Sequence, residues 1–273
     1  ICTTGKRKMR FHTFNFFCKV FFSAIFSPLI LSNHWNHSLE DLDVLIISDH
    51  TILQNFNQDT SGFDGIERTF VDPSIKLFKK ICTEIGLDAA ILNIEDLAPN
   101  HSIYSRQQQD IIYSHYDKIL LEAVENDVTI ISLHLDAEKI ETNDFSQIPY
   151  PTNENQESFI YEGGAQLILE QDKFSNETLE FAHRLLFSRF LDLIESQGVT
   201  IRPTYQTRLR LQQNISMSIA GQSKGGAILI ELGALDELKR LFVTPENIAV
   251  NLSDPLRVVA NTIAAHRKAH WLK

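Results

Sequence analysis

The chain has 273 residues, 43% of them hydrophobic and 22% charged, enough to bury the core of one large domain. A formal net charge of -10 argues against a nucleic-acid binder held by phosphate neutralisation. Of the three cysteines only Cys82 lies beyond the first 32 residues, which excludes a Cys-rich zinc site and an internal disulfide there.

Residues 1–32 carry Lys6, Arg7, Lys8, Arg10 and Lys19, no acid, and an apolar stretch from Phe14 through Leu31. Basic residues ahead of an apolar run are the layout of a signal peptide, or of an N-terminal membrane anchor if uncleaved; the plainer alternative is a buried N-terminal helix of the domain. The run is marginal for a full span, which needs ~20 apolar residues. The signal and anchor readings, which are favoured over the core helix, predict export to the periplasm or cell envelope. Without these five positive charges the net charge becomes -15, that of an acidic, soluble body. Residues 33–43 read as a connector and 44–273 as one domain.

Val44–Ile47 is a short buried strand that ends in Ser48-Asp49-His50. Thr51–Gly65 is polar and reads as a loop. A helix is expected from Glu67, with Phe70, Ile75, Leu77, Phe78, Ile81 and Ile85 on its apolar face, Pro73 in its first turns and Gly86 as its cap. Ala89–Leu92 is a second strand, and Ser105–Asn126 a long helix. Val128–Ile131 is a β-branched run that stops at His134 and Asp136.

Glu138–Asn155 is polar and reads as a surface excursion, a lid or a substrate rim. Ser158–Ile168 suggests a strand bent at Gly163-Gly164. Asn176–Gln197 has the apolar spacing of one amphipathic helix, stopped by Gly198. Gly225–Ile230 is an apolar strand that delivers Glu231. Thr244–His270 closes the chain as helix, with Pro255 breaking it or starting its last segment. Strands alternating with helices predict a three-layer α/β domain with a mainly parallel, twisted central sheet flanked by helices.

Such sheets gather their sites at the carboxyl ends of strands. His50, His134 and Glu231 all stand at strand ends, and Glu67 starts the helix after the first loop. Separations of 17, 67 and 97 residues are no local motif and make sense only if the fold converges them. Two imidazoles and a carboxylate form a common zinc triad with an open fourth position. Here His50, Glu67 and His134 fit the ligand roles. Glu231, at the end of the apolar run Ala227–Ile230, fits a general base whose pKa is raised by burial.

Taken singly, each residue has a plainer reading. Either histidine could bond backbone at a strand end, Glu67 could favour the helix dipole, and Glu231 could pair with Arg202 or Arg208. Asp49 and Asp136 could orient the ligand histidines or simply be solvated. His34, His37, His101, His115, His183, His266 and His270 read as surface residues or as supports of the site.

These segments resemble the zinc-dependent N-acetylmuramoyl-L-alanine amidases of type 3. The resemblance runs from about Val44 to about His266. It rests on Ser48-Asp49-His50, Gly65-Ile66-Glu67, Ser132-Leu133-His134-Leu135-Asp136-Ala137 and Leu229-Ile230-Glu231-Leu232-Gly233. Arg106, Asn126, Gly198-Val199 and Arg202 fall at further matching places, and Arg106 could hold a substrate carboxylate. The resemblance implies one Zn2+ held by His50, Glu67 and His134, with Glu231 catalytic. It also implies peptidoglycan as substrate, cut between N-acetylmuramic acid and L-alanine, and leaves room for a protein activator.

One departure is visible. Thr51-Ile52 stands where the family has Gly-Gly after the first histidine. Two alternatives therefore stay open: an inactive relative that binds cell wall or a partner, and a zinc peptidase with another substrate.

Overall fold

The computed structural model describes residues 35, 37–48, 63–97, 106–136, 139–142, 159–171, 173–202, 209–212 and 215–271. The leader, the loop 51–62 and most of the excursion after Asp136 lie outside the described residues. No helix among the described residues is long and apolar enough to cross a membrane.

Six strands form the central sheet in the order β2 (Ala89–Asn93), β1 (Val44–Ser48), β3 (Thr129–Asp136), β8 (Ala227–Ala234), β6 (Gln166–Glu170) and β7 (Leu209–Gln212). The first four run parallel; β6 is antiparallel to β8, and β7 is parallel to β6. The expected three-layer, mainly parallel α/β architecture is the one observed. A two-stranded ribbon, β4 (Lys139–Thr142) against β5 (Phe159–Glu162), stands apart from the sheet.

Alternation along each strand divides the apolar residues into two layers. Val44, Ile46, Ile131, Leu133, Ile228 and Ile230 face one core. That core is closed by α1 (Phe63–Glu84), α3 (Asn176–Leu186), α4 (Phe190–Ser196), α6 (Leu235–Phe242), α7 (Pro245–Asn251) and α8 (Ser253–Trp271). Leu45, Ile47, Ile130, Ala227 and Leu229 face the other, under α2 (Arg106–Glu125) and α5 (Ile215–Ala220). Both faces of the inner strands are covered, which explains why they read as continuous apolar runs.

Several expected elements differ in extent. Helix α1 begins at Phe63, so Pro73 lies in its interior instead of its first turns. Proline there removes a single ladder bond and is half-buried, while Val71, Ile75 and Phe78 bury the stripe that holds the helix together. The expected single helix over 176–197 is two. Ser188 Oγ donates to Leu185 O and accepts from Phe190 N, so the local serine bonds replace the helical ladder at the break. Phe187 is 84% exposed at that corner.

The bent strand of 158–168 is also two strands, β5 and β6, with Gly163-Gly164 between them. Pro255 stands in the first turn of α8 and starts the last segment. Strand β7 and the helices α5 and α6 were not foreshadowed by apolar period, because each is short.

Candidate active site

Parallel pairing sets His134 of β3 beside Glu231 of β8. Immediately beyond, the ladder shifts: the next pair is Asp136 with Ala234, so Leu135 faces two residues, Leu232 and Gly233. Gly233 takes φ 150°, a conformation that suits glycine at such a bulge. The bulge frees the Leu135 amide from the β8 ladder, and Glu67 Oε1 accepts it at 2.8 Å.

Glu67 reaches that point because it extends the buried stripe of α1 by one turn ahead of Val71. The next residue fixes the start of the helix. Arg68 donates to Ser48 Oγ at the end of β1 and, at 2.8 Å, to Asn93 Oδ1 at the end of β2, and pairs with Asp72 at 3.2 Å. Two strand ends and one helix are thereby tied together by a single guanidinium. Glu67 and Arg68 are 2% and 6% exposed, so this polar layer is part of the interior.

The His134 ring is held at both nitrogens. Nδ1 lies 3.4 Å from Glu67 Oε1, and Nε2 lies 2.7 Å from Ser132 Oγ, two residues back on the same face of β3. Two adjacent ligands of a tetrahedral zinc, each ~2.0–2.1 Å from the ion, stand about 3.3 Å apart. The Nδ1–Oε1 separation fits that requirement, and the donor set of imidazole and carboxylate is of the right chemistry.

Antiparallel β6 brings its first residue, Gln166, opposite Glu231. Gln166 Nε2 and the Gly164 amide both donate to Asp136 Oδ2 at 3.3 Å, and Arg202 approaches the same oxygen at 3.4 Å. Gly164 makes this possible: a Cβ there would stand 2.7 Å from Thr200 O and 2.8 Å from Arg202 N. Arg202 is therefore partnered with Asp136, and Asp136 turns toward β6 and Arg202.

Glu231 Oε2 is buried without a hydrogen-bond partner among the described residues, as is Gln166 Oε1. Burial pushes the Glu231 carboxyl up to about 8. The neighbouring His134 pulls it down, Asp136 and Glu67 push it up, and Arg202 pulls it down. A protonated or proton-accepting group beside a histidine is what such a site can use for proton transfer near neutral pH.

Of the residues expected from the sequence, Glu67, His134 and Glu231 are brought to one end of the sheet. His50, and the side chain of Arg106 at the start of α2, lie outside the described residues. Arg68 and Gln166 were missed: neither stands at the end of an apolar run, the signal that marked His134 and Glu231. The reading of His266 as a surface or supporting residue is corrected, since it is fully buried on α8 beside Phe181.

These observations define an α/β protein with a buried imidazole–carboxylate cluster at the carboxyl ends of its inner strands. The chain matches no family model and no curated protein. Among solved structures it is similar to the CwlD amidase of Clostridioides difficile, solved in complex with the GerS lipoprotein. That similarity has 15% identity, covers 82% of this chain and 98% of that one, and has a TM-score of 0.46. It is similar also to the N-acetylmuramyl-L-alanine amidase Ami1 of Mycobacterium smegmatis, at 13% identity, 84% and 100% coverage and a TM-score of 0.45. Ami1 of Mycobacterium abscessus, in its apo form, stands at 14%, 82% and 98%, and 0.44.

Proposed function

We propose that the protein is a zinc-dependent hydrolase that cleaves the amide between N-acetylmuramic acid and L-alanine in peptidoglycan. The observation that carries this reading is the buried Glu231 Oε2, without a hydrogen-bond partner among the described residues, beside the Glu67–His134 pair. His50, Glu67 and His134 would hold the ion. Zinc in such a set polarises a scissile carbonyl and lowers the pKa of water to ~7.

The rest of the chemistry belongs to the chain. Glu231 accepts the proton of the attacking water and passes it to the departing L-alanine nitrogen. Its raised pKa suits both halves of that transfer, because the group must take a proton and then give it up. Glu67, bonded to the Leu135 amide, keeps the His134 ring from turning. Arg202 and Gln166 hold Asp136 to one side, so that its charge does not replace Glu231 beside the histidine. Arg106 binds a substrate carboxylate from the start of α2. The leader, cleaved or retained as an anchor, would place the domain in the periplasm or cell envelope.

The test is release of peptide from purified sacculi by wild type and by Glu231→Ala. Loss of release in the variant is expected; equal release by both proteins rejects the assignment of Glu231. The second reading, an inactive relative that binds cell wall, is favoured by Thr51-Ile52 after His50 in place of Gly-Gly. Zinc uptake separates the two: protein that takes up no zinc at His134, judged against His134→Ala, supports the inactive relative.

A further inference from the structure

A second group of metal-ligating side chains lies away from the strand ends, between α3 and α8. Glu180 on α3 and His266 and His270 on α8 each offer a ligand atom, and these atoms all lie within 4.8 Å of one another. The two histidines stand four residues apart, on one face of their helix. Their ring centroids are 4.5 Å apart, and the His266 ring packs 5.4 Å from Phe181.

His266 is fully buried, and neither ring nitrogen has a hydrogen-bond partner among the described residues. A neutral imidazole carries one donor and one acceptor, and leaving both unmade in the interior is costly. His270 Nε2 stands 3.2 Å from Glu180 Oε2 yet makes no hydrogen bond. Arg184 occupies the other oxygen of Glu180, with Nη2 at 2.7 Å and Nε at 3.1 Å, and so leaves Oε2 facing the imidazoles.

We propose that Glu180, His266 and His270 bind one divalent transition-metal ion that clamps the last helix onto α3. Two imidazoles and one carboxylate select zinc or a neighbouring first-row ion over calcium or magnesium, which take oxygen. Glu180 and His270 have side chains 45% and 22% exposed, so a fourth position is open to water. The site is structural in placement: it joins elements that meet on the outer side of the sheet and contains none of the strand-end residues.

The helix site shares no residue with the strand-end site, and one experiment distinguishes them. Full-length protein is stripped with chelator, loaded with Zn2+, desalted, and its retained zinc counted, in wild type and in a His134→Ala background. His270→Ala is expected to lose one equivalent in both backgrounds, and Glu180→Gln to do the same. These residues are partly exposed, so the variants keep the fold, which circular dichroism checks. Unchanged zinc in His270→Ala in both backgrounds overturns the proposal. Retention in His134→Ala that equals wild type counts against the strand-end metal and leaves this one standing.

Discussion

The molecule holds two imidazole–carboxylate clusters, and they are built in opposite ways. At the strand ends, Glu67 and His134 have partners at every described contact, and the loose atom is a carboxylate oxygen of Glu231. Between α3 and α8 the carboxylate is tied to Arg184, and the loose atoms are ring nitrogens. Burial drives both toward the neutral form: the Glu231 carboxyl rises to about 8 and His266 falls to about 4. A lone carboxylate beside a fixed histidine is suited to moving a proton. Two loose imidazoles on one helix are suited to holding an ion still.

The largest effect expected from this contrast is catalytic. Glu231→Gln keeps the shape of the side chain and removes its capacity to accept a proton. Peptide release from sacculi should fall by about 10²–10⁴-fold, the usual contribution of a general base. His270→Ala should leave release within a factor of about two, because its cluster contributes nothing to the strand-end chemistry. A comparable loss in both variants would erase the distinction between the clusters.

Next in size is the structural cost of the strand-end layer. Glu67→Ala strips the partner from the Leu135 amide and from His134 Nδ1, both buried. A denaturant titration of the metal-free protein should show a loss of about 1–3 kcal/mol, the cost of orphaned buried polar groups. A change below the error of the measurement would mean that water or a side-chain shift satisfies the amide.

The sequence announced the first cluster and concealed the second, for one physical reason. A polar residue at the end of a β-branched run is conspicuous, because burial on both faces of a parallel strand demands apolar residues up to that point. His134 after Ile130-Ile131 and Glu231 after Ile228-Leu229-Ile230 stand out in that way. His266 and His270 lie on an amphipathic helix, where polar residues are ordinary and only packing reveals which face is covered. The same limit applied to Arg68, whose three partners come from β1, β2 and its own helix. The sheet itself was legible from its apolar runs. The reversal of β6 was not, because apolar period marks a strand and carries no signal of its direction.

The pH dependence of stability sharpens the comparison further. A carboxyl whose folded pKa lies above 4.5 contributes its full stability below that value and loses it as pH rises through about 8. Metal-free wild type should therefore lose stability relative to Glu231→Gln as pH rises between those limits. His266 has the opposite sign. Its folded pKa lies below 6.5, so stability is lost as pH falls from there toward about 4. The two windows overlap from 4.5 to 6.5, where the slopes oppose each other, so the metal-free protein should be most stable there; Glu231→Gln should remove the loss above 6.5 and leave the loss of His266 below it. Thermal midpoints of both proteins from pH 4 to 9 measure this directly.

The smallest effect is expected at Glu180. Its carboxylate pairs with Arg184 four residues on, in a bond whose partners are 45% and 40% exposed, and such exposed helix pairs contribute ~0.3–0.5 kcal/mol. Glu180→Ala should thus change the stability of the metal-free protein by no more than about 0.5 kcal/mol. Added zinc should separate the proteins, because wild type gains by binding to the folded state and the variant lacks one ligand. Performing the comparison in the His134→Ala background removes any contribution from the strand ends. A zinc-dependent rise in thermal midpoint that is present in that background and absent once Glu180 is also replaced would tie the stabilisation to α3 and α8. An equal rise with and without Glu180 would show that the carboxylate serves only its arginine, and would reduce the helix cluster to a pair of packed imidazoles.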